Sequence, residues 1–219
     1  MNVFDIIGPI MIGPSSSHTA GAVRLGQIAR KILGEDVVQA RIELSGSFAR
    51  TYRGHGTDKA LLAGIMGLCP DDTRIRCSPQ LAQEKGISFS FLETERPDAH
   101  PNTARIHLTG ERGKATTIVG TSTGGGNILV TEIDGLKVTF TAQCNTLLVV
   151  HWDRPGTIAA VSNYTATSGI NIGNFQLSRT RKGGKAIMML EIDGEVPDAI
   201  MDHLRAFDNI IDIILIRVG

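Results

Sequence analysis

The chain has 219 residues, enough for two compact units that each bury a core. An apolar fraction of 42% with only 20% charged residues separates it from disordered chains, which lack the Val, Ile and Leu needed to pack. Lys plus Arg equals Asp plus Glu at 22 each, so no surplus of cations exists to displace counterions from a phosphate backbone, and nucleic acid is not an expected partner.

The chain opens MNVFDIIGPIMIGPSSSHT, apolar but interrupted by Asp5 and two prolines and without a basic leading segment, which reads unlike a signal peptide. No apolar run reaches membrane-spanning length, so neither a membrane partner nor export is expected. After a Ser-rich turn, Ala22, Leu25, Ala29 and Ile32 recur at helical spacing with Arg24, Arg30 and Lys31 between them, which predicts an amphipathic helix over 18–33 ended by Gly34. VVQARIEL (37–44) is β-branched and partly alternating, and predicts a strand. A glycine-punctuated loop is expected next, leading to a short helix over 58–66. ISFSFL, ARIHLT, ATTIVGT, ILVTEI and LKVTF read as strands, the last two joined at Asp134-Gly135, whose tolerance of positive φ suits a two-residue turn.

From about residue 147 the rhythm changes to strand, helix, strand, strand, helix, strand. LLVVHW is the first strand, Pro155-Gly156 opens a helix running through Thr167, and Gly169 sits where a left-handed terminator is expected. INIGNFQLSR and AIMMLEI follow, joined by Lys182-Gly183-Gly184; DAIMDHLRAF supplies the second helix and IIDIILIRV the closing strand. The fold class is therefore α+β: a mixed α/β substrate-binding-type domain over 1–145, then a ferredoxin-like βαββαβ module over 147–219. Three cysteines, Cys69, Cys77 and Cys144, form neither an even set nor CxxC pairs, which argues against disulfides and against a zinc site. They fit a reducing cytoplasm, with burial as small hydrophobic side chains the ordinary expectation.

Four segments carry candidate chemistry. Ser15, Ser16, Ser17, His18 and Thr19 converge on a helix start, where unpartnered N–H groups and the macrodipole favour a carboxylate or phosphate. A single serine there would merely cap the helix; three with His and Thr point to a ligand site. The positive helix end disfavours imidazolium, so His18 is expected neutral and able to accept a proton. His55 lies between Gly54 and Gly56 ahead of a helix, where a ligand can approach the backbone closely. His100 and Asn102 share a turn with Pro101, and Gly124, Gly125 and Gly126 before Asn127 offer backbone without side chains in the way.

IGPSSSHTAGAVRLG, GSFARTYRGHGTDKALLAG, HPNTARI and STGGGNI, in that order, resemble the beta chain of bacterial two-chain, iron-sulfur-dependent L-serine dehydratase over most of residues 1–145. The resemblance implies dehydrative deamination of L-serine to pyruvate and ammonia, with a 4Fe-4S cluster as Lewis acid on the substrate hydroxyl. It also implies an N-terminal fold like the substrate-binding regulatory domain of some 3-phosphoglycerate dehydrogenases. A cluster needs a positioned set of thiolates, and the three cysteines here have no such spacing, so no metal ligand is assigned to this chain and a partner alpha chain is implied to hold the cluster. On this reading Ser16, Ser17, His18 and Thr19 form the catalytic rim, with His18 the leading base; Ser15, His55, His100, Asn102 and Gly125 contact substrate. An alpha-chain lysine or cysteine stays open as the base.

The C-terminal module resembles an ACT domain. His151-Trp152-Asp153-Arg154-Pro155-Gly156 is similar to the His-x-Asn-x-Pro-Gly turn of serine-sensing ACT domains, and Gly169-Ile170-Asn171-Ile172 to their Gly-x-Asn-Ile segment. His151, Asp153 and Asn171 are the implied effector residues, with Asp153 standing where an amide is common. A purely dimerising module is the competing reading. Three alternatives to the composite enzyme stay open: a free-standing serine sensor; a detached dehydrogenase regulatory half, against which the missing G-x-G-x-x-G counts; and a self-contained serine-nucleophile enzyme, against which the lack of an Asp or Glu visibly placed to orient His18 counts.

Overall fold

A computed structural model describes residues 10–197 and 199–218. The opening stretch read as unlike a signal peptide begins in residues 1–9, and the expected start of the last helix at residue 198; both lie outside the described residues. The chain divides into two compact units, Met1–Asp134 and Gly135–Gly219.

The first unit begins with a π-helical turn, Ser17–Gly21, continuing into α1 (Ala22–Leu33), which Gly34 ends with φ 70°. β1 (Val37–Gly46) is followed by α2 (Ser47–His55) and α3 (Thr57–Ile65), then a 3-10 turn Thr73–Cys77 and α4 (Ser78–Glu84). β2 (Ser88–Thr94), β3 (Asn102–Gly110), β4 (Ala115–Gly124) and β5 (Asn127–Ile133) complete it. The strands of this unit are ordered β2-β1-β3-β4-β5, with β1 and β2 parallel and the other neighbours antiparallel. α2 replaces the loop expected between β1 and the next helix. Its glycines, Gly54 and Gly56, sit at its end, while Phe48, Ala49 and Tyr52 bury one face at helical spacing.

The helices bury one face of the sheet. Ala40, Ile42 and Leu44 of β1 and Ala104, Ile106 and Leu108 of β3 are at most 1% exposed, whereas the alternate residues Arg41, Glu43, Arg105 and His107 are polar. α1 and α3 cross with almost no side chain between them. A Cβ on Gly26 would lie 2.5 Å from the Leu61 carbonyl oxygen, and one on Gly64 would strike the Val23 carbonyl oxygen. Two glycines thus set how closely α1 approaches α3, and that spacing fixes the π-helical turn that precedes α1.

Asp134 and Gly135 hold φ 49° and 80°, as the expected two-residue turn requires, and lead to β6 (Leu136–Phe140). The second unit then runs β7 (Asn145–Trp152), α5 (Thr157–Thr167), β8 (Asn171–Arg179), β9 (Lys185–Asp193), α6 (Ala199–Arg205) and β10 (Ile210–Ile216). The order β10-β7-β9-β8, antiparallel throughout, is the ferredoxin-like arrangement the sequence predicts. Its core joins Leu147 and Val149 of β7, Met188, Leu190 and Ile192 of β9, Val161 of α5, and Ile200 and Leu204 of α6. Gly169 terminates α5 with φ 72°. Among the described residues no helix is long and apolar enough to cross a membrane.

Candidate functional site

The π-helical turn buries His18 to 7% exposure and Thr19 to 2%, with Ser15, Ser16 and Ser17 half-buried beside them. Ser16 makes no side-chain cap; the Ser15 hydroxyl accepts from the His18 backbone N–H at 3.4 Å instead. The His18 ring is held from both edges. Nδ1 lies 3.2 Å from Ser15 Oγ, and Nε2 lies 3.1 Å from Thr51 Oγ1 and 3.4 Å from Ser47 Oγ. Phe48 meets the ring edge-on at a centroid distance of 5.2 Å.

These contacts select a tautomer. Thr51 Oγ1 donates its one proton to the Ser47 carbonyl at 2.8 Å, so towards Nε2 it can only accept. His18 therefore carries its proton on Nε2, and Nδ1 holds the lone pair, facing the Ser15 hydroxyl. The His18 pKa lies below 6.5, first because burial penalises the cation and second because His55 stands against it with ring centroids 4.7 Å apart. Burial, and not chiefly the helix end, keeps the ring neutral.

The other candidates gather around this ring to different degrees. His55 is exposed at the end of α2, in contact with His18. Gly13, Pro14, Thr19, Gly54, His55 and Gly56 line a pocket of about 300 Å³, so the turn opens on a cavity. His100 is exposed and its Nδ1 accepts the Asn102 backbone N–H at 3.2 Å. Asn102 pairs with Gly46 across β1 and β3, next to Ser47, and its Nδ2 reaches the Ser122 carbonyl at 3.5 Å. A Cβ on Gly21 would strike Ser122 Oγ, and Ser17 Oγ lies 3.9 Å from where a Gly124 Cβ would sit, which brings the far end of β4 against the π-helical turn. Gly124, Gly125 and Gly126 hold φ 104°, 59° and 80°, and Arg24 donates to the Gly126 carbonyl at 3.1 Å. Among the described residues Ser122 Oγ, Asn102 Oδ1 and Thr57 Oγ1 are buried without a hydrogen-bond partner from the protein.

In the second unit, His151 is 2% exposed; its Nδ1 meets the Trp152 carbonyl at 2.9 Å and its Nε2 has no partner among the described residues. Asp153 accepts from the Gly183 N–H at 3.0 Å and from Arg179 at 2.7 Å, which hold its carboxyl below 3.8. Asn171 donates to Asp193 at 2.6 Å. His151 faces Ala186 on β9, whereas Asn171 faces Asp193 at the other end of the same strand, about 23 Å away at strand rise. One protomer does not bring the three effector candidates together.

Cys69, Cys77 and Cys144 are free and exposed, which corrects the expectation of burial. Among the described residues no three His, Cys, Asp or Glu side chains are grouped to hold a metal ion. This donor set does not fit a four-iron cluster.

Residues 2–86 match the family model described as serine dehydratase beta chain, and residues 147–212 the one described as an acetohydroxyacid-synthase-small-subunit-like ACT domain. The chain is 43% identical to the probable L-serine dehydratase beta chain of Bacillus subtilis, over 97% of this chain and 96% of that one. The chain belongs to the L-serine dehydratase beta-chain family. The L-serine dehydratase beta chain of Peptoniphilus asaccharolyticus is 36% identical over 95% of this chain and 94% of its own. A D-3-phosphoglycerate dehydrogenase of B. subtilis is 29% identical over 89% of this chain but only 37% of its own length.

Within this family member, Ser47, Thr51 and Ser122 are the site groups that sequence reasoning missed. Ser47 and Thr51 are one helical turn apart at the start of α2, and only folding brings them to His18, about 30 residues earlier. The signal available was the amphipathic spacing of Phe48, Ala49 and Tyr52, which places Ser47 and Thr51 together on an adjoining face.

Proposed function

We propose that this chain is the beta subunit of an L-serine ammonia-lyase, and that its π-helical turn forms one wall of an active site completed by an alpha chain. The carrying observation is His18: a buried, neutral imidazole whose tautomer is fixed by Thr51 and whose basic Nδ1 is covered by one rotatable hydroxyl. The reaction removes a weakly acidic α-proton and a hydroxide from serine; the resulting aminoacrylate tautomerises to the imine and hydrolyses to pyruvate and ammonia. A base that is already neutral at the working pH serves the first requirement. Substrate takes the place of the Ser15 hydroxyl at Nδ1, receives hydrogen bonds from Ser16, Ser17 and Thr19, and contacts His55, His100, Asn102 and the Gly125 backbone. Nε2–H stays on Thr51, so the ring does not turn as it gains and loses the α-proton.

The cofactor, a 4Fe-4S cluster, belongs on this reading mainly to the alpha chain, because the thiols of the beta chain are separate and exposed. Three free surface thiols also favour a reducing, cytoplasmic setting. Residues 1–145 act as the serine-dehydratase-type domain and residues 147–219 as an ACT module that pairs with a second copy. A serine effector held by His151 and Asp153 needs its Asn171 from that second copy, since one protomer places the residues at opposite ends of β9. The test is to purify the chain alone, and also after anaerobic co-production with an alpha chain. The account expects a colourless, inactive single chain and a brown complex that makes pyruvate. An active single chain without iron overturns it, and an inactive complex favours a free-standing amino-acid sensor.

A further inference from the structure

A separate concavity of about 610 Å³ lies between α2, the end of β2 and the loop 95–101 that leads into β3, and none of the candidate substrate contacts lines it. Its walls are pinned. Thr94 Oγ1 donates to the Leu44 carbonyl at 3.1 Å, the Ala99 N–H to the Arg96 carbonyl at 3.0 Å, and the Phe48 N–H of α2 to the Pro101 carbonyl at 3.1 Å. Gly46, at φ 61°, lets Pro101 close in: a Cβ on Gly46 would lie 2.6 Å from the Pro101 Cα. Four charged side chains line this concavity, Arg50 of α2, Glu93 of β2, and Glu95 and Arg96 of the loop. None of the four forms an ion pair among the described residues. Ala49, Pro97, Ala99 and Pro101 supply the apolar wall between them.

We propose that this pocket binds a free α-amino acid with an apolar side chain, its carboxylate on Arg50 and Arg96, its ammonium on Glu93 and Glu95, and its side chain against the alanines and prolines. Two cations and two anions that do not close on each other match a ligand carrying both signs, whereas a ligand with one charge leaves the opposite pair unanswered. The volume falls within the roughly 300–1,000 Å³ of small-molecule sites, and walls already held by backbone hydrogen bonds keep the cost of ordering them low. The pocket shares α2 with the candidate active site: Ala49 and Arg50 line it, while Ser47 and Thr51, on another face of the helix, hold the His18 ring. Occupancy therefore bears on the helix that sets the His18 tautomer, which makes the ligand an effector. The inference goes beyond the serine-dehydrating reading and does not rest on it, because binding and its effect on His18 are both read on this chain alone.

The experiment titrates the full-length chain with L-leucine, following heat and the NMR signal of the His18 ring. Saturable binding is expected, with the His18 signal moving in step. L-leucinamide, which lacks the carboxylate, and 4-methylpentanoate, which lacks the ammonium, should each bind about tenfold more weakly or less well still. Leucine affinity should fall by a similar factor in Arg50→Gln/Glu95→Gln, which places the binding in this pocket. Both residues are exposed, and an unchanged melting temperature shows that the variant folds. No saturable binding of leucine up to about 10 mM, equal binding of the two singly charged analogues, or unchanged affinity in the variant overturns the proposal. Binding that leaves the His18 signal unmoved overturns the link through α2.

Discussion

Replacing His18 with Ala separates what the ring does for the fold from what it does for the reaction. The ring makes at most two full hydrogen bonds, one from each nitrogen, because Thr51 and Ser47 share Nε2. At about 0.5–1.5 kcal/mol each, the loss costs about 2 kcal/mol, with the Ser15 and Thr51 hydroxyls keeping their backbone partners. In a chain of this size that lowers the melting temperature by roughly 4–8 °C, so the variant stays folded and still pairs with an alpha chain. Turnover by the complex should fall by about two to four orders of magnitude, the usual contribution of a general base. The assay is pyruvate release at saturating serine, with cluster absorbance and subunit ratio recorded on the same sample. A raised KM with unchanged kcat would show that His18 only binds substrate and would refute its role as base.

Thr51→Val removes the acceptor from Nε2 at nearly constant volume. It should lower kcat by about tenfold and move the acid limb of the pH profile, while Thr51→Ser restores both. The acid limb itself should lie below pH 6.5, because burial and then His55 depress the His18 pKa. By linkage the stability that neutral His18 contributes is present above 6.5 and is lost as pH falls through the lower folded value; His55→Asn should bring the titration, followed by NMR, back towards 6.5. Gly64→Ala drives a methyl into the Val23 backbone of α1 and should destabilise the chain by about 1–3 kcal/mol in denaturant unfolding, with wild-type stability contradicting the close crossing. Protection of the Gly183 amide from exchange should hold above pH 3.8 and fade as pH drops through the depressed Asp153 value; protection unchanged in Asp153→Asn would contradict that tether.

The second unit was legible because its strands and helices carry their own punctuation: Gly156 and Gly169 bound α5, Gly183 turns β8 into β9, and the apolar spacing does the rest. The first unit was legible as an alternation of strands and helices, except where glycines flanking α2 looked like a loop. The turn around His18 was legible as a chemical cluster, yet its working geometry was not. The groups that set the ring's tautomer, Ser47 and Thr51, arrive from a helix whose position depends on the β1 to β3 pairing and on Gly46 lying against Pro101, and neither is a local property of the sequence. The same limit applies to His151 and Asn171, whose motif similarity puts them in one site while the register of β9 sets them apart.

An anaerobic structure of the two-chain complex with serine bound tests the division of labour directly. The account places the serine α-carbon against His18 Nδ1, with the Ser15 hydroxyl rotated away and the substrate also in contact with the partner chain. A serine molecule bound wholly within the partner, further from His18 than one bridging water can span, would contradict it.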